Sequence, residues 1–222
     1  MPNINWPHGS KDEVNQLGKN EDIVYWLGDK LYLNITNRCS NRCYFCFRHY
    51  WNGIAGFNLR LSAEPSIDQV IRDLEKHMSK KAWREIVFCG FGEPTYRLDC
   101  LLEVTKWIKK YSLVRVRLDT NGHAHLINPG KDVVRELKEA GVNAISVSIN
   151  GHDKETYNRV CKPIFADAYE SAIEFVKSAR EASFDVEITS VRIPEVNLLK
   201  LRDLASKLNV RFRVREYIPC FY

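Results

Sequence analysis

The chain has 222 residues, 45% of them hydrophobic, and its 33 Lys and Arg against 28 Asp and Glu leave a net charge of +5. That is apolar material for one substantial core; the charges are interspersed rather than gathered into a nucleic-acid-binding arm, and no apolar run reaches the length of a membrane span. Seven cysteines, an odd number, with nothing like a secretion signal after Met1, exclude a disulfide scaffold and point to a reducing, cytoplasmic setting.

Residues 1–21 are polar and without period, and read as an irregular N-terminal extension. Residues 23–27 and 30–36 read as two strands about the tight turn Gly28-Asp29. A cysteine-rich loop and the glycine-punctuated segment Trp51–Phe57, placed to cover it, come next. From there helical and strand patterns alternate: helices over about 66–81, 98–110, 131–140, 166–181 and 198–208, each followed by a strand, at 85–89, 114–119, 144–149, 186–191 and 210–217. Six strands alternating with five helices, after a short leading hairpin strand, predict a parallel α/β sheet. The chain is too short for a complete eight-fold barrel, which takes about 250 residues. It suits a partial (β/α)6 TIM-like barrel, with a doubly wound sheet as the runner-up.

In such folds chemistry gathers at the C-terminal ends of the strands. The first long strand runs into Cys39-Ser40-Asn41-Arg42-Cys43-Tyr44-Phe45-Cys46, three cysteines at C-x3-C-x2-C spacing. A closed structural zinc site wants four protein ligands, whereas three thiolates on a [4Fe-4S] cluster leave one iron open for chemistry. His49 would complete a four-ligand zinc set with Cys39, Cys43 and Cys46, and that alternative stands beside the cluster. The next strand ends in Gly90-Phe91-Gly92-Glu93-Pro94, where glycines admit close backbone approach and a carboxylate enters the site. The following two end in Thr120-Asn121-Gly122 and Ser148-Ile149-Asn150-Gly151.

Strand interiors carry a second signal. Arg115, Arg117 and Asp119 alternate with apolar residues, as do Glu187 and Thr189, and Arg211, Arg213 and Arg215. One face of each strand therefore packs on helices, and the polar face lines a lumen suited to a polar or anionic substrate; for the last strand an exposed edge is the competing reading. Cys89 and Cys100 read as small buried residues, and Cys161 and Cys220 as loop residues with structural roles.

The cysteine loop, with Phe45 just before its last thiol, resembles the signature of the radical S-adenosylmethionine (radical SAM) superfamily. Gly90–Pro94 resembles that family's glycine-glycine-glutamate motif with Phe91 in place of a second glycine. The Thr120 and Ser148 stretches resemble its T-N-G and S-I-D-G segments, with Asn150 replacing the commoner acid. Leu31–Cys39, Phe88–Asp99 and Tyr157–Pro163 look like the small TatD-associated radical SAM subfamily. The resemblance makes residues 22–222 one radical SAM partial-barrel domain. It implies a [4Fe-4S] cluster on Cys39, Cys43 and Cys46, and S-adenosylmethionine held by Glu93 with the Gly90 and Gly92 backbone and by Asn121, Ser148 and Asn150. It implies reductive cleavage of that cofactor to methionine and a 5′-deoxyadenosyl radical for hydrogen abstraction, an external electron donor such as flavodoxin or ferredoxin, and a substrate that is a small molecule, a protein or a nucleic acid. The alternative is a non-catalytic iron–sulfur or zinc-binding redox or accessory module.

Overall fold

The computed structural model describes residues 21–217. All but the last residue of the expected N-terminal extension lies outside them, as does Cys220.

Two strands, β1 (Val24–Leu27) and β2 (Lys30–Leu33), pair antiparallel about Gly28, whose φ of +60° suits the glycine position of a two-residue hairpin turn. Five more strands follow in parallel: β5 (Glu85–Phe88), β6 (Arg115–Thr120), β7 (Ala144–Ser148), β8 (Asp185–Arg192) and β9 (Arg211–Glu216). A separate two-residue hairpin, β3 (Gly53–Ile54) with β4 (Phe57–Asn58), lies between. The main sheet runs in the order β1-β2-β5-β6-β7-β8-β9. A doubly wound sheet reverses its order at a switch point; this one never does. The sheet curves as a partial barrel and stays open, with β9 at one edge and β1 at the other.

The strand period of two sorts the residues onto two faces. Leu31, Leu33, Ile86, Phe88, Val116, Leu118, Ile145, Val147, Val186 and Ile188 are all buried in one cluster with helix residues. Those come from α1 (Ile67–Met78), α2 (Leu98–Tyr111), α4 (Val133–Ala140), α6 (Ala168–Glu181) and α7 (Leu198–Lys207), with Leu74, Leu101, Ile108, Leu137, Phe175 and Leu201 fully covered. Helix starts follow their sequence signals. Ser66 and Gln69 form a reciprocal capping box on α1, and Asp132 and Asn197 cap α4 and α7.

Three features differ from the sequence expectation. A short helix, α3 (Ala124–Ile127), follows β6, and α5 (Lys154–Cys161) occupies a stretch expected to be loop. The β3–β4 hairpin packs Phe57 on Tyr25 and Trp26. With Leu59, Phe91 and Phe47 it forms a second, small apolar cluster beside β1 and β2.

Candidate active site

The loop after β2 is fixed from several directions before any ligand is considered. Arg38 offers its carbonyl to the Glu93 N–H at 2.7 Å and its guanidinium to both Glu64 oxygens at 2.7 and 3.0 Å. Thr36 Oγ1 donates to the same Glu64 at 2.6 Å. On the far side the end of α5 holds the loop: the Arg42 N–H donates to the Cys161 carbonyl at 2.8 Å, and the Ile164 N–H donates to the Ser40 carbonyl at 2.9 Å.

Behind the thiols runs a buried polar relay. Asn121 Nδ2 donates to Ser40 Oγ at 2.8 Å, and Ser40 Oγ lies 2.8 Å from His123 Nδ1. The Tyr157 hydroxyl holds the other ring nitrogen, Nε2, at 2.8 Å, so of the two hydroxyls one donates to the imidazole and the other accepts from it. Asn41 Nδ2 reaches that oxygen at 3.2 Å. Burial drops the His123 pKa to about 4, so the imidazole is neutral, with one ring nitrogen to donate and one to accept.

All three loop thiols are half-buried and free of disulfides. Burial pushes the Cys39 thiol up to about 12. The Cys43 thiol is raised first by its contact with Cys161 and then by burial. A bound metal would deprotonate them outright. Arg48 Nε lies 3.4 Å from Cys46 Sγ and Asn121 Nδ2 3.9 Å from Cys39 Sγ, two donors toward sulfur. The His49 imidazole is engaged by the Cys43 carbonyl, 3.0 Å from Nε2. Among the described residues no three His, Cys, Asp or Glu side chains converge on a single metal-ion position. The donor set, three thiols on one pinned loop with polar donors to sulfur, fits a cluster whose irons each take one thiolate.

Glu93 caps the turn after β5 and is 2% exposed. Its Oε1 accepts from Thr95 N and Oγ1 and from Thr120 Oγ1, at 3.2, 2.8 and 2.8 Å; Oε2 accepts the Asn121 N–H at 2.6 Å. Burial raises its pKa, and these donors work in the opposite direction. Oε2 keeps one lone pair for a further donor. Gly92 presses so tightly on the cysteine loop that a Cβ would sit 2.5 Å from the Thr36 carbonyl oxygen. At Gly90 a Cβ would meet the Asn34 side chain, itself bonded to the Phe91 N–H at 2.9 Å and the Leu59 carbonyl at 2.8 Å.

The remaining sequence candidates separate. Asn121 spends its carboxamide on Ser40 and on the His123 N–H at 3.0 Å. Asn150 Oδ1 accepts the Val191 N–H at 2.8 Å, fixing the end of β7 to β8. Ser148 faces the lumen, 3.4 Å from Thr189 Oγ1 and 3.1 Å from Arg215 Nη2. Cys100 is a buried core residue as expected; Cys89 is only half-buried and shares the lumen face. Cys161, expected in a loop, ends a helix and is fully covered. Arg48, Ser40, His123 and Tyr157 were not among the sequence candidates. Ser40, directly after Cys39, and Arg48, two residues past Cys46, had a local signal; His123 and Tyr157 had none.

Below this layer the lumen is a charged lattice. Glu85 is held by Lys30, Arg115 and Arg117, Asp119 by Arg117, Asp185 by Arg115 and Arg211, and Glu187 by Arg213. A cavity of about 520 Å³ opens among these groups at the strand starts.

Among the described residues no helix is long and apolar enough to cross a membrane. Curated relatives include a probable GTP 3′,8-cyclase of Saccharolobus solfataricus, 28% identical over 179 residues, which are 81% of this chain and 51% of the relative. One from Thermococcus kodakarensis is 29% identical over 149 residues, 67% of this chain and 43% of the relative. The chain thus spans about half the length of the curated relatives it matches. Similar folds include Streptococcus suis SuiB bound to S-adenosylmethionine, with TM-score 0.67 and 18% identity over 87% of this chain and 42% of that one. The hydrogenase maturase HydG of Carboxydothermus hydrogenoformans gives 0.63 and 19% over 86% and 44%. The model of the radical SAM superfamily, whose members are enzymes using a [4Fe-4S] cluster and S-adenosylmethionine, matches residues 33–208, and the chain belongs to that superfamily.

Proposed function

We propose that Cys39, Cys43 and Cys46 hold a [4Fe-4S] cluster with one iron left open, and that the enzyme cleaves S-adenosylmethionine reductively to act on a substrate not yet identified. The observation that carries this reading is the pinned three-thiol loop at the C-terminal end of β2, with His49 engaged by the Cys43 carbonyl. When bound, the cluster and S-adenosylmethionine supply an electron and a 5′-deoxyadenosyl radical that abstracts hydrogen.

The chain's own part is placement and exclusion. Glu93, with its remaining lone pair and the Gly90 and Gly92 backbone, takes the methionyl ammonium; Ser148 lies on the lumen side for the nucleoside. Asn121 and Asn150 hold the strand ends from which such contacts are made. The lattice of ion pairs keeps the lumen polar, and the Tyr25–Phe91 aromatic cluster walls the β1 side. An external reductant, of the flavodoxin or ferredoxin kind, delivers the electron.

The test is anaerobic reconstitution with iron and sulfide, then dithionite and S-adenosylmethionine, with 5′-deoxyadenosine followed by mass spectrometry. The product is expected from the wild type and not from Cys43→Ala. GTP, named in the relatives' activity, is the first compound to add as substrate. Stoichiometric zinc without iron in the native protein, or a well-formed cluster that neither binds nor cleaves S-adenosylmethionine, would overturn the reading.

A further inference from the structure

Arg215 stands apart from the other cations of the lumen. It is the fifth residue of β9, opposite Val191 of β8 and on the same face as Arg211 and Arg213. Arg213 forks onto Glu187 at 2.7 and 3.2 Å, and Arg211 meets Asp185 at 2.8 Å. The lumen carboxylates, Glu85, Asp119, Asp185 and Glu187, are all taken by arginines lower in the lattice. Arg215 has no carboxylate within ion-pair distance among the described residues. Among the described residues its one hydrogen bond runs from Nη2 to Ser148 Oγ at 3.1 Å, and its Nε is buried with no partner.

A guanidinium cannot discard its proton, so a buried one without a counter-ion persists only where something else offsets the cost. Asp119 is the foremost electrostatic offset, yet its oxygens are spent on Arg117 at 2.7 and 3.4 Å. Arg215 is the lumen-face arginine nearest the C-terminal end of β9 and sits beside Ser148 at the end of β7, which puts it in the layer between the cysteine loop and the lattice, where a substrate would have to lie. A planar fork with a free Nε–H and one lightly used Nη matches the paired oxygens of a carboxylate or a phosphate.

We propose that Arg215 is the oxyanion receptor of this site, and that the substrate carries a carboxylate or phosphate which docks on its Nε edge. This rests on the proposed function for the word substrate; the anion site itself does not depend on it. The same chemistry could be furnished by the carboxylate of S-adenosylmethionine, and the test separates the two.

Thermal unfolding of the reconstituted protein is followed with S-adenosylmethionine present, in sodium phosphate or sodium acetate against sodium chloride of matched ionic strength. Affinity for S-adenosylmethionine is measured in parallel by equilibrium dialysis. Phosphate or acetate is expected to raise the wild-type midpoint, and Arg215→Met to need at least tenfold more of either anion for the same rise, while S-adenosylmethionine affinity stays within twofold. Arg215→Lys, which keeps the charge without the fork, is expected to lie between them and serves should the Met variant fold poorly. Equal anion responses in wild type and both variants would show only general salt effects and overturn the site. A tenfold or larger loss of S-adenosylmethionine affinity would assign the anion to the cofactor and overturn the substrate assignment. Should the wild type take up no cluster, the proposed function fails on that count, and the anion comparison on the metal-free chain still decides Arg215.

Discussion

The Glu93 carboxylate accepts the backbone N–H of Asn121 at 2.6 Å, so one buried side chain ties the turn after β5 to the end of β6. Thr120 and Thr95 fill its other oxygen. Glu93→Gln replaces one acceptor oxygen with a donor and strands a buried N–H or hydroxyl. The expected cost is about 2 kcal/mol, read as a fall of about 4–8 °C in the unfolding midpoint. If Glu93 served only the cofactor, the unliganded variant would melt with the wild type.

Gly92→Ala would drive a methyl group into the Thr36–Arg38 backbone, which cannot yield without moving Cys39. We expect iron uptake on reconstitution to fall severalfold. Gly130→Ala, at φ +81° with nothing near the added carbon, should cost only about 1 kcal/mol of backbone strain and leave uptake unchanged.

Tyr157→Phe removes the hydroxyl that bonds His123 Nε2 and accepts from Asn41 Nδ2, leaving two buried nitrogens without a partner. A loss of about 2–4 kcal/mol is expected in urea unfolding. Because Asn41 lies within the cysteine loop, cluster occupancy should fall with it. Unchanged stability would mean the relay is not formed in solution.

His123 gives the fold an acid-side weakness. Its folded pKa, about 4, lies below the ordinary 6.5, so between those values the unfolded chain binds a proton that the folded chain refuses. Stability therefore falls as pH drops through 6.5, by roughly 2 kcal/mol at pH 5 from this residue. Urea midpoints of the wild type and His123→Gln, compared at pH 7 and pH 5, should show the variant losing less on acidification.

Much of this architecture is written in local patterns. The alternation of Arg115, Arg117 and Asp119 with Val116 and Leu118 marks a lumen and a helix-facing side, and the structure keeps that division through β2, β5, β6 and β7 and as far as Thr189 in β8. The same parity marks Cys89 as a lumen residue, since it continues the face of Glu85 and Val87, although composition alone suggests burial. Helix α5 escapes notice because it is eight residues long, with only Tyr157, Val160 and Cys161 apolar, and follows the turn-like Asn150-Gly151. The Ser40–His123–Tyr157 relay is illegible for a different reason: its members are far apart in the chain, and no spacing encodes their meeting. The role of Arg215 is likewise hidden, because three arginines at alternate positions look equivalent until their partners are assigned.

The hydrogen bonds from Arg42 to the Cys161 carbonyl and from Ile164 to the Ser40 carbonyl also set an order of events. A nascent chain exposes its three thiols long before it has made the helix end that shapes their loop. Closing such a distant contact is entropically slow compared with forming the local helices and turns. Early in synthesis the thiols are therefore a flexible, indiscriminate chelator, open to any thiophilic ion. On the proposed assignment of the three thiols, selectivity for a cluster arrives only when the fourth βα unit docks, which makes correct metal loading a late step of folding.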